Sequence, residues 1–140
     1  MFNKSFVEKI KMWRELRIQL ETAENPFDLV LDFWKMAPII TIATDPYDKN
    51  TWPDPWEMIR QNEYCEFMKI LAIFYTLQLT DRFSRSNFEI HIFLDNEESK
   101  TIYLLSVDKN SIGYYNESYI KRVTSDFEPQ VYYNSLPTYT

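Results

Sequence analysis

Glycine is nearly missing: Gly113 is the only one in 140 residues. A P-loop or a dinucleotide fingerprint needs several glycines at fixed spacing, so both are excluded. Turns and helix ends must instead rely on Pro, Asn, Asp and Ser. Cysteine and histidine are as scarce, with Cys65 and His91 standing alone. One thiol cannot close an intramolecular disulfide, and these two side chains make neither a Cys-based nor a His-rich metal site. A reducing compartment and no cofactor are the expectations. Basic clusters are lacking too. The 15 Lys and Arg are scattered, the longest cluster is Lys121-Arg122, and 21 acidic residues leave a net charge of −6. Nucleic-acid surfaces need clustered cations, which argues against that partner. No apolar run approaches the ~20 residues of a membrane span. Met1-Phe2-Asn3-Lys4 leads into a charged amphipathic stretch rather than a signal peptide, so the expectation is a soluble protein made in the cytoplasm.

Apolar and aromatic residues are plentiful. They make up 45% and 17% of the chain, with four Trp, ten Tyr and ten Phe. That is enough for a real core in one domain of this length, and Tyr and Trp also suit binding surfaces.

Periodicity divides the chain further. Phe6, Ile10, Trp13, Arg17 and Leu20 recur at spacings of three and four, predicting a helix from Ser5 to about Glu24. Asn25-Pro26 starts a second, with Phe27, Val30, Leu31 and Trp34 on one face and Pro38 ending it. Pro38–Thr44 is β-branched and apolar and reads as a short strand. In Trp52-Pro53-Asp54-Pro55-Trp56-Glu57, Asp54 suits an N-cap, Pro55 the first helical position and Glu57 the third. A longer helix is expected from about Tyr64 to Leu79, apolar all round and therefore buried. Phe88–Asp95 alternates as a strand, with Glu89, His91, Phe93 and Asp95 on one face. Asn96–Lys100 reads as a turn and Thr101–Asp108 as a second strand. Ile112–Tyr115 and Tyr119–Val123 are candidates for further strands. The tail from Phe127 has no clear period and reads as extended, either a binding arm or a cover for the sheet edge.

One constellation could carry chemistry. Cys65 opens the apolar helix, where free N–H groups favour a thiolate. His91 follows on a strand, and Asp108 ends the next. A thiolate needs an imidazole partner, and the imidazole an acceptor that fixes its tautomer.

Pro55-Trp56-Glu57, Cys65 with Phe67–Leu79, His91 and Asp108 stand in the order of the transglutaminase-like branch of the papain-like cysteine fold, which the middle of the chain resembles. The resemblance implies Cys65 as nucleophile, His91 as base and Asp108 as orienting acid. Three positions depart from the family. Glu63 stands where it usually has Gly, Phe93 where it has Trp, and Lys109 where it has Pro or Thr. Glu63 and Glu66, flanking Cys65, also disfavour a thiolate. The Trp52–Glu57 segment with Tyr64–Arg82 further resembles proteins of tailed bacteriophages.

Each feature has a plainer reading. A lone Cys on an apolar helix is usually a small buried hydrophobe. Glu89 or Asp95 could satisfy His91, and Asp108 before Lys109 is a good turn residue. Trp52 and Trp56 are candidate ligand contacts, but Trp beside a helix start more often staples it. Tyr132 and Tyr133 are the candidate contacts of the tail. Hairpin register bears on the triad. Partners summing to 199 would set His91 opposite Asp108, whereas a sum near 196 would put them on opposite faces.

The expectation is an α+β fold, with N-terminal helices and a central buried helix packed on a small antiparallel sheet. It forms one domain over 1–140, with helices and a strand over 1–50, a transglutaminase-like core over 52–115 and a tail over 127–140. Two functions are open. The favoured one is a non-enzymatic structural or assembly module, a component of a tailed-phage virion, whose partners are virion proteins or a second copy. The other is a thiol-dependent amidase or acyl transferase using Cys65, His91 and Asp108.

Overall fold

The computed structural model describes residues 2–38, 44–61, 63–115, 118–119 and 127–139. The chain divides into two compact units, Met1–Arg85 with Tyr139–Thr140, and Ser86–Thr138. The first is helical and the second is an antiparallel sheet, so the class is α+β.

Four α-helices build the first unit: α1 (Phe6–Leu20), α2 (Pro26–Lys35), α3 (Pro55–Arg60) and α4 (Glu66–Gln78). Their starts follow the capping signals. The Ser5 side chain accepts the Glu8 N–H, and Asp54 Oδ1 accepts the Glu57 N–H at 2.8 Å, while Pro26 and Pro55 open α2 and α3. Helix α1 ends at Leu20, earlier than its periodicity suggests, and long-range contacts tie its end to Asp81 and Arg82. Arg82 Nη1 donates to the carbonyls of Leu20 and Ala23, and the Glu21 carboxylate accepts the N–H groups of Asp81 and Arg82. Leaving those end groups bare would expose unsatisfied carbonyls and amides.

Every residue of α4 from Phe67 to Gln78 is buried. The polar members survive there because each has a partner. Thr76 Oγ1 donates to Ala72 O at 2.7 Å and accepts the indole N–H groups of Trp13 at 2.9 Å and Trp34 at 3.0 Å, joining α1, α2 and α4 at one atom. Lys9 Nζ and Lys69 Nζ donate to Gln61 O and Lys35 O, carbonyls at the ends of α3 and α2. Gln78 grips the backbone of Tyr139. Its Nε2 donates to Tyr139 O at 3.0 Å and its Oε1 accepts Tyr139 N–H at 3.1 Å. The Tyr139 ring meets Tyr75 edge-on at 5.4 Å. Of the strand expected over 38–44, residues 39–43 lie outside the described residues.

The second unit holds β1 (Phe88–Asp95), β2 (Lys100–Val107), β3 (Asn110–Tyr115), β4 (Ser118–Tyr119) and β5 (Phe127–Tyr133) in the order β4-β3-β2-β1-β5. Ile90, Ile92, Leu105 and Val107 bury one face, as the alternation predicts. The tail therefore supplies a strand, Phe127–Tyr133, antiparallel to β1. Of the strand expected from Tyr119 to Val123, residues 120–123 lie outside the described residues.

Gly113 sits within β3 opposite Leu104, so the turns must do without it. Ser99, Asp108 and Lys109 take positive φ angles of 51°, 49° and 76°. The last two form the two-residue β2–β3 loop between paired Val107 and Asn110, where a type I′ turn needs two left-handed residues.

Candidate functional site

Cys65 is the N-cap residue of α4, where the sequence pattern puts it. It is a free thiol only 5% exposed, and its side chain makes no capping hydrogen bond. Neighbouring Tyr64 is fully buried and tied down. Its N–H donates to Pro38 O, and its hydroxyl shares its proton between the carbonyls of Met58 and Gln61. An open nucleophile loop is not what these contacts build.

His91 lies on β1. Its Nε2 is 3.0 Å from Glu89 Oε1, two residues along the same face. The imidazole is parallel to two rings, Phe93 at 5.8 Å and Tyr132 at 5.5 Å, the latter from its cross-strand partner on β5. It is thus a half-buried member of an aromatic row.

The β1–β2 partners sum to 195, with Phe88 opposite Val107 and His91 opposite Leu104. Neither register considered from the sequence is adopted. The parity of the 199 register is kept, but Asp108 lies four residues beyond the partner of His91, about 13 Å along the strand at ~3.3 Å per residue. Asp108 also falls outside β2, in the following turn. There it exchanges two hydrogen bonds with Asn87. Its carboxylate accepts Asn87 N–H at 2.8 Å, and its own N–H donates to Asn87 O at 2.9 Å. The Asn87 amide, with the Ser86 side chain, holds its carboxyl below the usual carboxylate range. Asp108 therefore closes the open end of the hairpin and is not brought beside His91 as its orienting acid.

The candidate binding residues divide. Trp52 donates its indole N–H to Asp45 O and packs on Phe67 of α4 at 5.1 Å, a structural contact. Trp56 meets Trp13 edge-on at 5.6 Å and stays 41% exposed. Tyr132 is 59% exposed above His91, and Tyr133 is opposite Ile90, partly covered.

Missed by the sequence reading is an apolar cluster on the His91 face, Phe93, Ile102 and Leu104 with Phe127 packed against it. Phe127 and Tyr132 are five residues apart and should face opposite ways. A β-bulge reconciles them. Ile92 pairs with Val131 but Phe93 pairs with Pro129, leaving Gln130 as the extra residue that flips the parity. No run of alternation survives such a flip, which is why the tail carries no readable period.

Among the described residues no group of three or more His, Cys, Asp or Glu side chains could hold a metal ion, and no helix is long and apolar enough to cross a membrane. No family model matches the chain, and no curated protein matches it.

Proposed function

We propose that this protein works by contacts rather than catalysis, as a structural or assembly module. The observation that carries the reading is the employment of the three candidate catalytic groups. Cys65 is buried, His91 is engaged by Glu89 and two rings, and Asp108 is bonded to Asn87. A thiol mechanism requires an accessible sulfur with an imidazole positioned by an acceptor. The order of a Cys-capped helix followed by an antiparallel hairpin supports kinship with a transglutaminase-like core whose residues have turned to structural use. The likeness of the Trp52–Glu57 and Tyr64–Arg82 segments to tailed-phage proteins supports seeking the partner among the structural proteins of a virion.

Thiol reactivity tests the reading. Cys65 in the folded protein should resist iodoacetamide at neutral pH and be modified promptly once urea unfolds the chain. Rapid modification of the folded protein, slowed by His91→Ala, would overturn it in favour of thiol-dependent amide hydrolysis or acyl transfer.

A further inference from the structure

Helices α1 and α3 meet along a seam of aromatic and cationic side chains. Phe6, Trp13 and Arg17 follow one stripe of α1, and Trp56 and Arg60 are one turn apart on α3. Arg60 is 4.4 Å over the Phe6 ring, Trp13 and Trp56 touch edge-on, and Arg17 is 4.5 Å over the Trp13 ring. Phe6 and Trp56 are 36% and 41% exposed, and Arg14 and Arg60 are exposed beside them.

The charge here is uncompensated. Among the described residues, Arg14, Arg17 and Arg60 make no ion pair, although the chain carries 21 acidic residues. Arg17 Nε is buried without a hydrogen-bond partner, and the neighbouring Arg14 repels the same guanidinium. Glu21, four residues on and spaced to pair with Arg17, instead caps Asp81 and Arg82. Guanidinium groups stacked on rings, with no anion supplied by their own chain, form a preorganised receptor for carboxylates. Trp and Arg are also the residues that dominate interface energies.

We propose that the α1–α3 seam docks an acidic segment of a protein partner, with one carboxylate on Arg60, a second on Arg17, and an apolar side chain between them on Trp56. This deepens the contact-based reading and rests on it. The spacing fixes the motif. Phe6 and Trp13, under the two guanidinium groups, are seven residues apart, or about 10.5 Å of helix at 1.5 Å per residue. Two acids three residues apart in a peptide of polyproline II form, which repeats every three residues, lie on one side and span about 9 Å at ~3.1 Å per residue. A nucleic acid would also meet cations and stacking rings here, but its phosphates would face the net charge of −6 along their length.

The test is a tryptophan-fluorescence titration of the full chain with the blocked peptide GELAEG, with GKLAKG and a thymidine oligonucleotide as comparisons. Saturable binding of the acidic peptide alone is expected, weakening with salt. Arg17→Gln or Arg60→Gln should each lower affinity about tenfold. Arg17→Lys should recover part of it, with circular dichroism confirming the fold of each variant. No binding, equal binding of GKLAKG, preference for the oligonucleotide, or indifference to both Arg→Gln changes overturns the proposal. So does sedimentation of the chain alone as a dimer that Arg60→Gln dissociates, since the occupant is then a second copy. Failure of the seam leaves Cys65 inert to iodoacetamide, whereas failure of the contact-based reading does not.

Discussion

The Thr76 hydroxyl has one proton to give and two lone pairs to offer, and its neighbours use all three. Three helices are thereby fixed in rotation as well as in distance, since each indole must aim its N–H at the same atom. Thr76→Val keeps the shape and strands two buried donors. With ~1–3 kcal/mol for each unsatisfied group, the loss should be about 2–6 kcal/mol, read as a lower urea midpoint. Thr76→Ser should stay within about 1 kcal/mol of the parent. Equal stability of the Val variant would show that the indoles find other acceptors. Nothing in the sequence marks this hub, because Trp13, Trp34 and Thr76 lie far apart and each fits its own helix without reference to the others. The roles of Cys65 and Asp108 were more legible. Helix start and turn are local properties, whereas the distance from His91 to Asp108 depends on a register that turn composition leaves open.

At the level of elements, local signals were the reliable ones. Ser5, Asn25-Pro26 and Asp54-Pro55 mark the starts of α1, α2 and α3, and alternation in Phe88–Asp95 marks β1. Strand β5 was illegible because Gln130 breaks its parity. The bulge lets Phe127 reach the Phe93 cluster while Tyr132 covers His91. Deleting Gln130 makes Pro129 and Val131 consecutive, so a regular strand should keep both Phe127 and Tyr132 on the His91 face. The expected outcome is hydrogen exchange across β5 no faster than in the parent and an unfolding midpoint no lower. Faster exchange across β5 would show that the bulge itself holds the strand in place. Pro129 in the same strand lacks an N–H, which suits a position at the sheet edge and discourages further pairing there.

Across the whole molecule, the α+β class follows from a helical first half and an alternating second half, and composition alone makes a core possible. Acid–base behaviour is a property of the whole fold, and burial sets its direction. Burial pushes the Tyr64 phenol above its ordinary value of 10.0, and burial together with Tyr139, Asp54 and Glu57 does the same to Tyr75. Unfolded, both phenols ionise near pH 10; folded, they keep their protons beyond it. Their contribution to stability is therefore intact below pH ~10 and declines above it. Lys9 and Lys69, held by burial below the usual 10.5 (with Glu66 opposing at Lys69), act in the opposite sense, so their contribution rises with pH up to that value. Urea midpoints should climb on approach to pH ~10 and fall beyond it, less steeply in Tyr64→Phe and Tyr75→Phe. An equally steep fall in both variants would remove the phenols as the cause.

The grip of Gln78 on Tyr139 also bears on the order of events at the ribosome. The helical unit is discontinuous, since the sheet unit is translated in full before Tyr139 emerges. α1 to α4 can collapse early, as N-terminal segments do. Gln78 and the Tyr75 ring must then wait, exposed, for a partner 61 residues downstream of Gln78. Closing the helical unit is thus coupled to threading the sheet, and a nascent chain stalled within β5 would present an open site on its helices.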